Sequence, residues 1–251
     1  MKKKHLKISQ NYWKVKVVMN KDDIIVILPA YNEEGKIGSM VIESKKYSCE
    51  VVVVNDCSTD KTKEEANLAG ATVITHEINK GVGAGIKTGL KYALNKNYKI
   101  MIVMGSDKQD DPNEIPKFIQ AIKNGSEFVQ GSRYLEEDSR NYPKFRLITT
   151  KMYTKFISLY TWKKITDASN GYRAFTHKFV QSLNLTLDGM DRYEFETYYL
   201  LHALRYAKYT EVPVKKFYPR NIGYSKMKPF ISWYQMFKPI ATDLFVFKRQ
   251  A

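Results

Sequence analysis

The stretch IMIVMGSDKQDDP, residues 100–112, joins five consecutive apolar residues to a cluster of polar side chains and a proline. A continuous apolar run of this kind is typical of a strand that is buried on both faces of a parallel sheet. The side chains that follow carry oxygen atoms, which suit either a turn that caps the next helix or a site for a divalent cation. The surrounding sequence bears on which of the two it is.

Three other apolar segments repeat this plan. The run at 24–28 leads into a polar loop, the run at 51–54 ends at Asn55-Asp56, and a short strand predicted at 72–75 precedes a glycine-rich turn. Helix-like segments lie between them, which predicts an α/β fold with a mainly parallel central sheet and helices on both faces. Ligands of such sheets bind where the carboxyl ends of the strands open into a crevice. We therefore expect the polar strand ends to line one site.

The second half of the chain is richer in amphipathic helices. Apolar residues recur at helical spacing in 144–164 and 230–247, and a helix at 194–207 precedes a strand. The first two helices either lie in a bilayer interface beside basic residues or bury their stripes against the sheet or a partner subunit. Pro239 is expected to kink or divide the last helix. No linker or internal repeat is evident, which favours one domain with a C-terminal elaboration.

The net charge of +15 is uneven along the 251 residues. Residues 1–125 hold 20 basic and 15 acidic side chains, whereas residues 126–251 hold 21 basic and 11 acidic ones, including all eight arginines. Nucleic acid, an anionic membrane or a phosphorylated small molecule would each suit such a half. We predict no nucleic acid as a partner, because the acidic strand ends in the predicted crevice would repel its phosphates.

The sequence also bears on location. Two cysteines, Cys49 and Cys57, are too few for a disulfide framework, and the start of the chain lacks the apolar region of a secretory signal. No run of about 18 apolar residues suggests a transmembrane helix. We predict a cytoplasmic protein.

Seven segments taken together resemble a family 2 glycosyltransferase, and within it the dolichyl- and polyprenyl-phosphate sugar transferases. They are LPAYNEE (28–34), VVVNDCSTDKT (52–62), NKGVGAGIKTGL (79–90), SDKQDDP (106–112), GSRY (131–134), DASNGYRAF (167–175) and EVPVKKFYPRNIGYSK (211–226). The resemblance implies a single GT-A type nucleotide-binding domain at 23–228. A basic N-terminal extension at 1–22 and an amphipathic helical segment at 229–251 would flank it.

The resemblance implies where the nucleotide sugar binds. The loop after the first strand would hold the nucleoside, and the end of the second strand would contact the base or ribose. This chain has Asn-Asp-Cys-Ser where the family usually has Asp-Asp-Gly-Ser, which leaves the base open. The glycines at 81–85 lack the spacing of a dinucleotide fingerprint. The implied donor-binding residues are Pro29, Ala30, Tyr31, Asn32, Glu33, Asn55, Asp56, Lys80, Gly81, Ser106 and Asp107.

The stretch at 105–109 aligns with the family pattern Asp-x-Asp-x-Gln and departs from it at the first position. In the family, the two acids and the glutamine surround Mg²⁺ or Mn²⁺ on the donor diphosphate. Gly105 stands where the first aspartate is expected, and Asp107 and Gln109 occupy the other two positions. The resemblance thus implies a metal held by Asp107 and Gln109. Asp110 and Asp111 are candidates to compensate for Gly105. The alternative is a metal-independent or inactive relative.

The implied reaction is inverting transfer of a hexose from a nucleotide sugar to a polyprenyl phosphate at the membrane surface. Such an acceptor implies a protein that is peripheral on the cytoplasmic face of a membrane, with a membrane-anchoring partner or a homodimer as further options. The catalytic residues would be Asp107, Arg133, Arg220 and Lys226, and the acceptor phosphate would be held by Arg133, Arg146 and Ser225. Arg173 has either a site role or a structural one.

Two alternatives stay open for the function. Transfer to a glycan hydroxyl would need a general base. The candidates for that base are Asp167, Asp191, Glu194 and Glu196. A nucleotide-sugar-binding pseudoenzyme is the other alternative, and Gly105 motivates it.

Overall fold

The computed structural model describes residues 21–135, 144–217 and 229–246. Seven strands form one sheet in the order β3-β2-β1-β4-β6-β5-β7. Every pairing is parallel except the two that β6 makes with β4 and β5. The strands are β1 (Ile24–Ala30), β2 (Glu50–Asn55), β3 (Thr72–Thr75), β4 (Ile100–Val103), β5 (Phe128–Ser132), β6 (Arg173–Thr176) and β7 (Tyr209–Pro213). The predicted mainly parallel sheet is confirmed.

Helices cover both faces of this sheet, as predicted. Short 3₁₀ turns at Lys21–Asp23 and Pro112–Glu114 precede β1 and one of the helices. The helices are α1 (Ile37–Ser44), α2 (Thr62–Leu68), α3 (Val82–Asn95), α4 (Ile115–Lys123), α5 (Lys144–Thr161), α6 (His177–Gln181), α7 (Tyr193–Tyr206) and α8 (Pro229–Val246).

The continuous apolar runs arise because each face of the sheet has its own core. In β1, Ile25 and Ile27 pack with residues of α3, α6 and α7, whereas Val26 and Leu28 pack with residues of α1, α2 and α4. Since successive side chains of a strand point to opposite faces, a strand that is covered on both sides must be apolar at every position. The same reason accounts for β2 and β4.

Two strands, β5 and β6, were not predicted because polar residues interrupt them. Gln130 on β5 and Arg173 on β6 are both buried, and Arg173 Nε donates to Gln130 Oε1 at 2.7 Å. Arg173 also donates to the Tyr199 hydroxyl and lies over that ring at 4.7 Å. Buried polar groups that satisfy one another in this way cost little, so a strand can contain them. These contacts support the structural alternative for Arg173.

The long helices α5 and α8 pack against each other and against α7. Tyr153 of α5 lies 5.6 Å from Phe237 of α8 between ring centroids, and Ile240 of α8 is buried. The α8 helix is not divided at Pro239. None of the helices in the described ranges is long and apolar enough to cross a bilayer.

The stripe predicted for α5 turns out to be largely exposed. The core side of this helix is formed by Tyr153 and Ile157, whereas Ile148, Met152 and Leu159 are each more than half exposed. Both sides of α5 thus carry apolar residues. Of the predicted stripe, Phe156 lies 5.1 Å from Phe237 of α8 between ring centroids, whereas Ile148, Met152 and Leu159 stay largely exposed.

Candidate active site

The candidate site lies where the strand order reverses. The chain proceeds from β1 outward to β2 and β3 and then returns to β4 on the other side of β1, so the carboxyl ends of β1 and β4 flank a switch point. Ser106 follows β4, and its hydroxyl donates to Pro29 O at 2.8 Å, which ties the two strand ends together. Ligands of doubly wound sheets bind at such a point.

The loop after β1 is fixed to the loop after β2. Asn32 has a positive φ of 52°, its N–H donates to Ser58 Oγ at 3.0 Å, and its Oδ1 accepts from Thr59 N at 2.9 Å. Glu33 N donates to Thr62 Oγ1 at 2.7 Å. The predicted nucleoside-binding residues therefore lie together at this edge. Their contact with a nucleoside stays a prediction.

Asp56, at the end of β2, holds the glycine-rich turn. It is buried, and its carboxylate accepts from the backbone of Lys80 at 2.9 Å and of Gly81 at 2.7 Å. His76 Nδ1 lies 2.7 Å from Asp56 Oδ1, and His76 Nε2 lies 2.9 Å from Thr88 Oγ1. His76 was missed by the sequence analysis, although its position directly after β3 is a signal for the same edge.

The glycines of that turn allow a second loop to approach the sheet edge closely. A Cβ atom on Gly83 would lie 2.3 Å from Arg192 O, and one on Gly81 would lie 2.7 Å from Asp191 O. Ala84 N also donates to Asp191 O at 2.8 Å. These glycines thus allow the loop before α7 to approach the turn, and contact of Lys80 and Gly81 with the donor stays a prediction.

Asp107 lies directly after β4 and is partly buried. Its Oδ1 accepts from Gln109 N at 3.1 Å. Burial raises the pKa of the Asp107 carboxyl above its ordinary value, Lys216 opposes that shift, and Asp110 reinforces it. The described residues contain no group of three His, Cys, Asp or Glu side chains arranged to hold a metal. The oxygen donors that are present at this edge, from Asp107, Gln109 and Asp110, are of the kind that Mg²⁺ and Mn²⁺ prefer.

Arg133 follows β5 and forms a buried ion pair. Its Nε and Nη2 donate to the two carboxylate oxygens of Asp167 at 2.6 and 2.8 Å, and Nη2 also donates to Ser169 Oγ at 2.6 Å. Burial opposes ionisation of Asp167, but the charge and hydrogen bonds of Arg133 hold its pKa below the ordinary value. The forked guanidinium is thus engaged by a carboxylate. Contact of Arg133 with an acceptor phosphate stays a prediction.

Glu211 on β7 positions this pair and was missed by the sequence analysis. Its carboxylate accepts from Thr166 N at 2.9 and 3.0 Å and from Asp167 N at 3.1 Å. Burial raises the pKa of the Glu211 carboxyl above its ordinary value. Nothing in the sequence around Glu211 signalled that its side chain supports a loop 45 residues earlier.

The other proposed bases also have partners. Asp191 Oδ1 lies 2.6 Å from Lys87 Nζ, Glu194 accepts from Arg192 N, and Glu196 Oε1 lies 3.6 Å from Arg173 Nη1. Arg220, Ser225 and Lys226, the residues after β7 that are expected to contact phosphates and are here called the phosphate clamp, lie outside the described residues, as does the side chain of Arg146.

The fold defines an α/β protein with a doubly wound sheet, a class of protein whose ligands bind at the carboxyl ends of the strands. Residues 25–183 match the model of glycosyl transferase family 2. The chain therefore belongs to glycosyl transferase family 2, as its motifs suggested.

Two curated relatives align over most of both chains. The polyprenol monophosphomannose synthase of Mycolicibacterium smegmatis is 28% identical and covers 81% of this chain and 80% of its own. The UDP-N-acetylglucosamine–dolichyl-phosphate N-acetylglucosaminyltransferase of Methanococcus voltae is 32% identical, with 78% and 86% covered.

A solved structure is similar in fold. The glucosyl-3-phosphoglycerate synthase of Mycobacterium tuberculosis superposes with a TM-score of 0.67 at 18% identity, covering 89% of this chain and 79% of that one. Its crystals contain Mn²⁺, UDP and glucosyl-3-phosphoglycerate. The fold of this chain is accordingly the GT-A fold that the motifs implied.

Proposed function

We propose that this chain transfers a hexose from a nucleotide sugar to a polyprenyl phosphate. The observation that carries the proposal is the position of Asp107, a partly buried carboxylate at the switch point beside the loop that follows β1. Relatives that align along most of the chain are named for sugar transfer to polyprenyl or dolichyl phosphates. Because those two relatives differ in the sugar they carry, we leave the hexose and the base unassigned.

We further propose that Mg²⁺ or Mn²⁺ binds at this edge, held by Asp107 with Gln109. A divalent cation there would neutralise negative charge on the departing diphosphate. Asp107 would orient the cation. From the segment that follows β7, Arg220 and Lys226 would contact the same phosphates, and Ser225 would contact the acceptor phosphate.

Inverting displacement fits the acceptor that we propose. A phosphate monoester is ionised at neutral pH and attacks without a general base, whereas a hydroxyl needs one. The four carboxylates considered for that role each have a partner of their own, and Asp167 has a lowered pKa that makes it a weak base. This favours the phosphate acceptor over the glycan hydroxyl.

The exposed side of α5 supports action at a membrane surface. Ile148, Met152 and Leu159 are exposed on this helix, and Lys151 and Lys155 are exposed between them. Apolar residues interleaved with lysines are the pattern of a helix that lies in the headgroup region of an anionic bilayer. We propose that α5 contacts the membrane that contains the acceptor.

The membrane contact predicts a specific loss of binding. Met152→Asp with Leu159→Asp removes two apolar contacts and adds charges that anionic lipids repel. We expect at least about a tenfold weaker partition onto vesicles of phosphatidylcholine and phosphatidylglycerol, measured by co-sedimentation. Leu68→Asp is the matched control, because Leu68 is 89% exposed on α2, which covers the opposite face of the sheet. Equal partition of the double variant and this control would contradict the contact.

The enzymatic proposal is tested by a donor panel followed by a transfer assay. We expect one UDP- or GDP-hexose to raise the melting temperature in the presence of Mn²⁺, since a ligand stabilises the folded state according to its affinity. That donor should then glycosylate a short polyprenyl phosphate and leave the matching polyprenol unmodified. Transfer to a glycan hydroxyl with an inert polyprenyl phosphate would overturn the acceptor assignment, and donor binding without turnover would favour a pseudoenzyme.

A further inference from the structure

The carboxylate of Asp110 occupies the space beside Gly105. Gly105 N donates to Asp110 Oδ2 at 2.9 Å, and a Cβ atom built on Gly105 would lie 3.0 Å from the same oxygen. Asp107 Oδ1 lies 3.2 Å from that Cβ position. Carboxylates from two positions in the chain therefore converge on the place where a side chain at position 105 would begin.

The glycine at position 105 is explained by the space that the Asp110 carboxylate takes up. The backbone conformation at this position does not require a glycine. Gly105 is absent from the glycines that have a positive φ, so its backbone is open to any L-residue. A larger side chain at this position would meet the Asp110 carboxylate at a distance that is tighter than ordinary contact. The absence of a side chain at position 105 thus gives the Asp110 carboxylate the room to lie where it does.

The Asp110 side chain is buried, and one of its two carboxylate oxygens lacks a hydrogen bond within the described residues. It is 2% exposed, and within the described residues its Oδ1 has no hydrogen-bond partner. Lys216 Nζ lies 3.2 Å from that oxygen in an ion pair whose direction does not make a hydrogen bond. A buried carboxylate oxygen without a donor is costly unless a cation compensates it.

The chain after β7 encloses this carboxylate from the other side. Asp110 and Lys216 form an isolated antiparallel bridge, and Phe217 N donates to Gln109 O at 2.9 Å. The Asp110 carboxylate is therefore held between the end of β4 and the segment that precedes the proposed phosphate clamp.

We propose that Asp110 supplies the carboxylate that Gly105 lacks, so that Asp107 and Asp110 together hold the divalent cation of the donor site. The inference rests on the proposed function, because the cation is the one that would bind the donor diphosphate. In this arrangement Lys216 balances the charge of Asp110 until a cation arrives. The glycine at position 105 then means that the metal ligand has moved to position 110, and it is no argument for an inactive relative.

The test measures Mn²⁺ binding directly, by the loss of the free Mn²⁺ signal in electron paramagnetic resonance during titration with UDP present. We expect Asp110→Asn to raise the apparent Kd for Mn²⁺ at least about tenfold, since the charge of the ligands sets the affinity of such sites. Asp111→Asn is the matched control, because Asp111 Oδ1 accepts from Asn113 and caps the 3₁₀ turn at Pro112–Glu114. We expect it to stay within about twofold of wild type.

A swap of the carboxylate separates ligation from a structural role. Asp110→Ser alone should bind Mn²⁺ weakly, whereas Gly105→Asp with Asp110→Ser should return the Kd to within about threefold of wild type. The serine removes the atom nearest to a new side chain at position 105. A purely structural Asp110 would not be rescued by Gly105→Asp, since the hydrogen bond to Gly105 N and the ion pair with Lys216 would still be missing.

The outcomes distinguish this inference from the proposed function. If the wild-type chain binds Mn²⁺ and a nucleotide sugar but Asp110→Asn binds Mn²⁺ equally well, the role of Asp110 is wrong and the proposed function stands. Failure of the swap to restore binding would also overturn the role of Asp110. If the wild-type chain binds no Mn²⁺ with any nucleotide sugar, the role of Asp110 and the proposed cation both fall, and the transfer assay alone decides whether the chain is a metal-independent transferase.

Discussion

We expect Asp107→Asn to lower the transfer rate at least about 10²–10³-fold, the loss that follows removal of one preorganised group that stabilises developing charge. The substitution keeps the shape of the side chain and removes the negative charge that would hold the cation. The measurement is the rate of sugar transfer to a polyprenyl phosphate at saturating donor and Mn²⁺. Asp111→Asn, with an equal change of charge four residues away, should retain nearly the full rate.

The loss of rate should not reflect loss of folding. Burial raises the pKa of Asp107, so its ionised form is held at a cost in the metal-free protein. That cost is absent below the unfolded pKa, grows as the pH rises and is fully present above the raised folded pKa. Asn removes the cost. We expect a melting temperature equal to or above that of wild type without metal, and a smaller rise on adding Mn²⁺ and donor. Undiminished transfer by Asp107→Asn would contradict the proposed role.

The edge of the sheet that holds the candidate site could be predicted, because a parallel sheet with helices on both faces leaves a recognisable pattern in the sequence. The runs that became β1, β2 and β4 must be apolar throughout, and polar residues can follow only where each strand leaves the core. Parallel pairing then places all these ends at one edge. For this reason the sequence predicts that Asn32, Asp56 and Asp107 lie at one crevice.

The contacts that escaped prediction depend on pairs of residues that are distant in the chain or on the exact path of a turn. Arg173 and Gln130 look unsuitable for strands until each satisfies the other across β5 and β6. Glu211 supports a loop that precedes it by 45 residues. The packing of Asp110 on Gly105 depends on the turn through Lys108, which has a positive φ of 63°.

The side of α5 that is buried could not be predicted from the sequence, for a different reason. Tyr153 and Ile157 form one apolar side, and Ile148, Met152 and Leu159 form another, so the helical period fits either side. Phe237 from α8 packs against both Tyr153 and Phe156, so the position of this later helix decides which part of α5 is covered. Which side of α5 stays exposed therefore depends on a contact with a later helix. No local sequence pattern indicates it.

The largest effect on stability is expected for Arg133→Met. This change leaves Asp167, which is fully buried, as a charge without its partner, and breaking one side of such a pair costs about 3–5 kcal/mol. The free energy of unfolding from urea titration at pH 7 measures the effect. Arg205→Met is the matched control, because Arg205 is exposed on α7, where it donates a 3.3 Å hydrogen bond to Tyr160 and lies over that ring at 5.6 Å. A change within about 0.5 kcal/mol is expected there.

Neutralising the carboxylate should reverse much of the loss. In Arg133→Met with Asp167→Asn no buried charge remains, and the double variant should be more stable than Arg133→Met alone. The pH dependence has the same origin. Because the pKa of Asp167 is lowered in the folded protein, the pair contributes stability above the unfolded pKa of about 3.9, and this contribution fades as pH falls through the folded pKa. The gap between wild type and Arg133→Met should therefore narrow in acid. A gap that is small at pH 7 and constant with pH would show that Asp167 does not depend on Arg133, and would leave the guanidinium available for the acceptor phosphate.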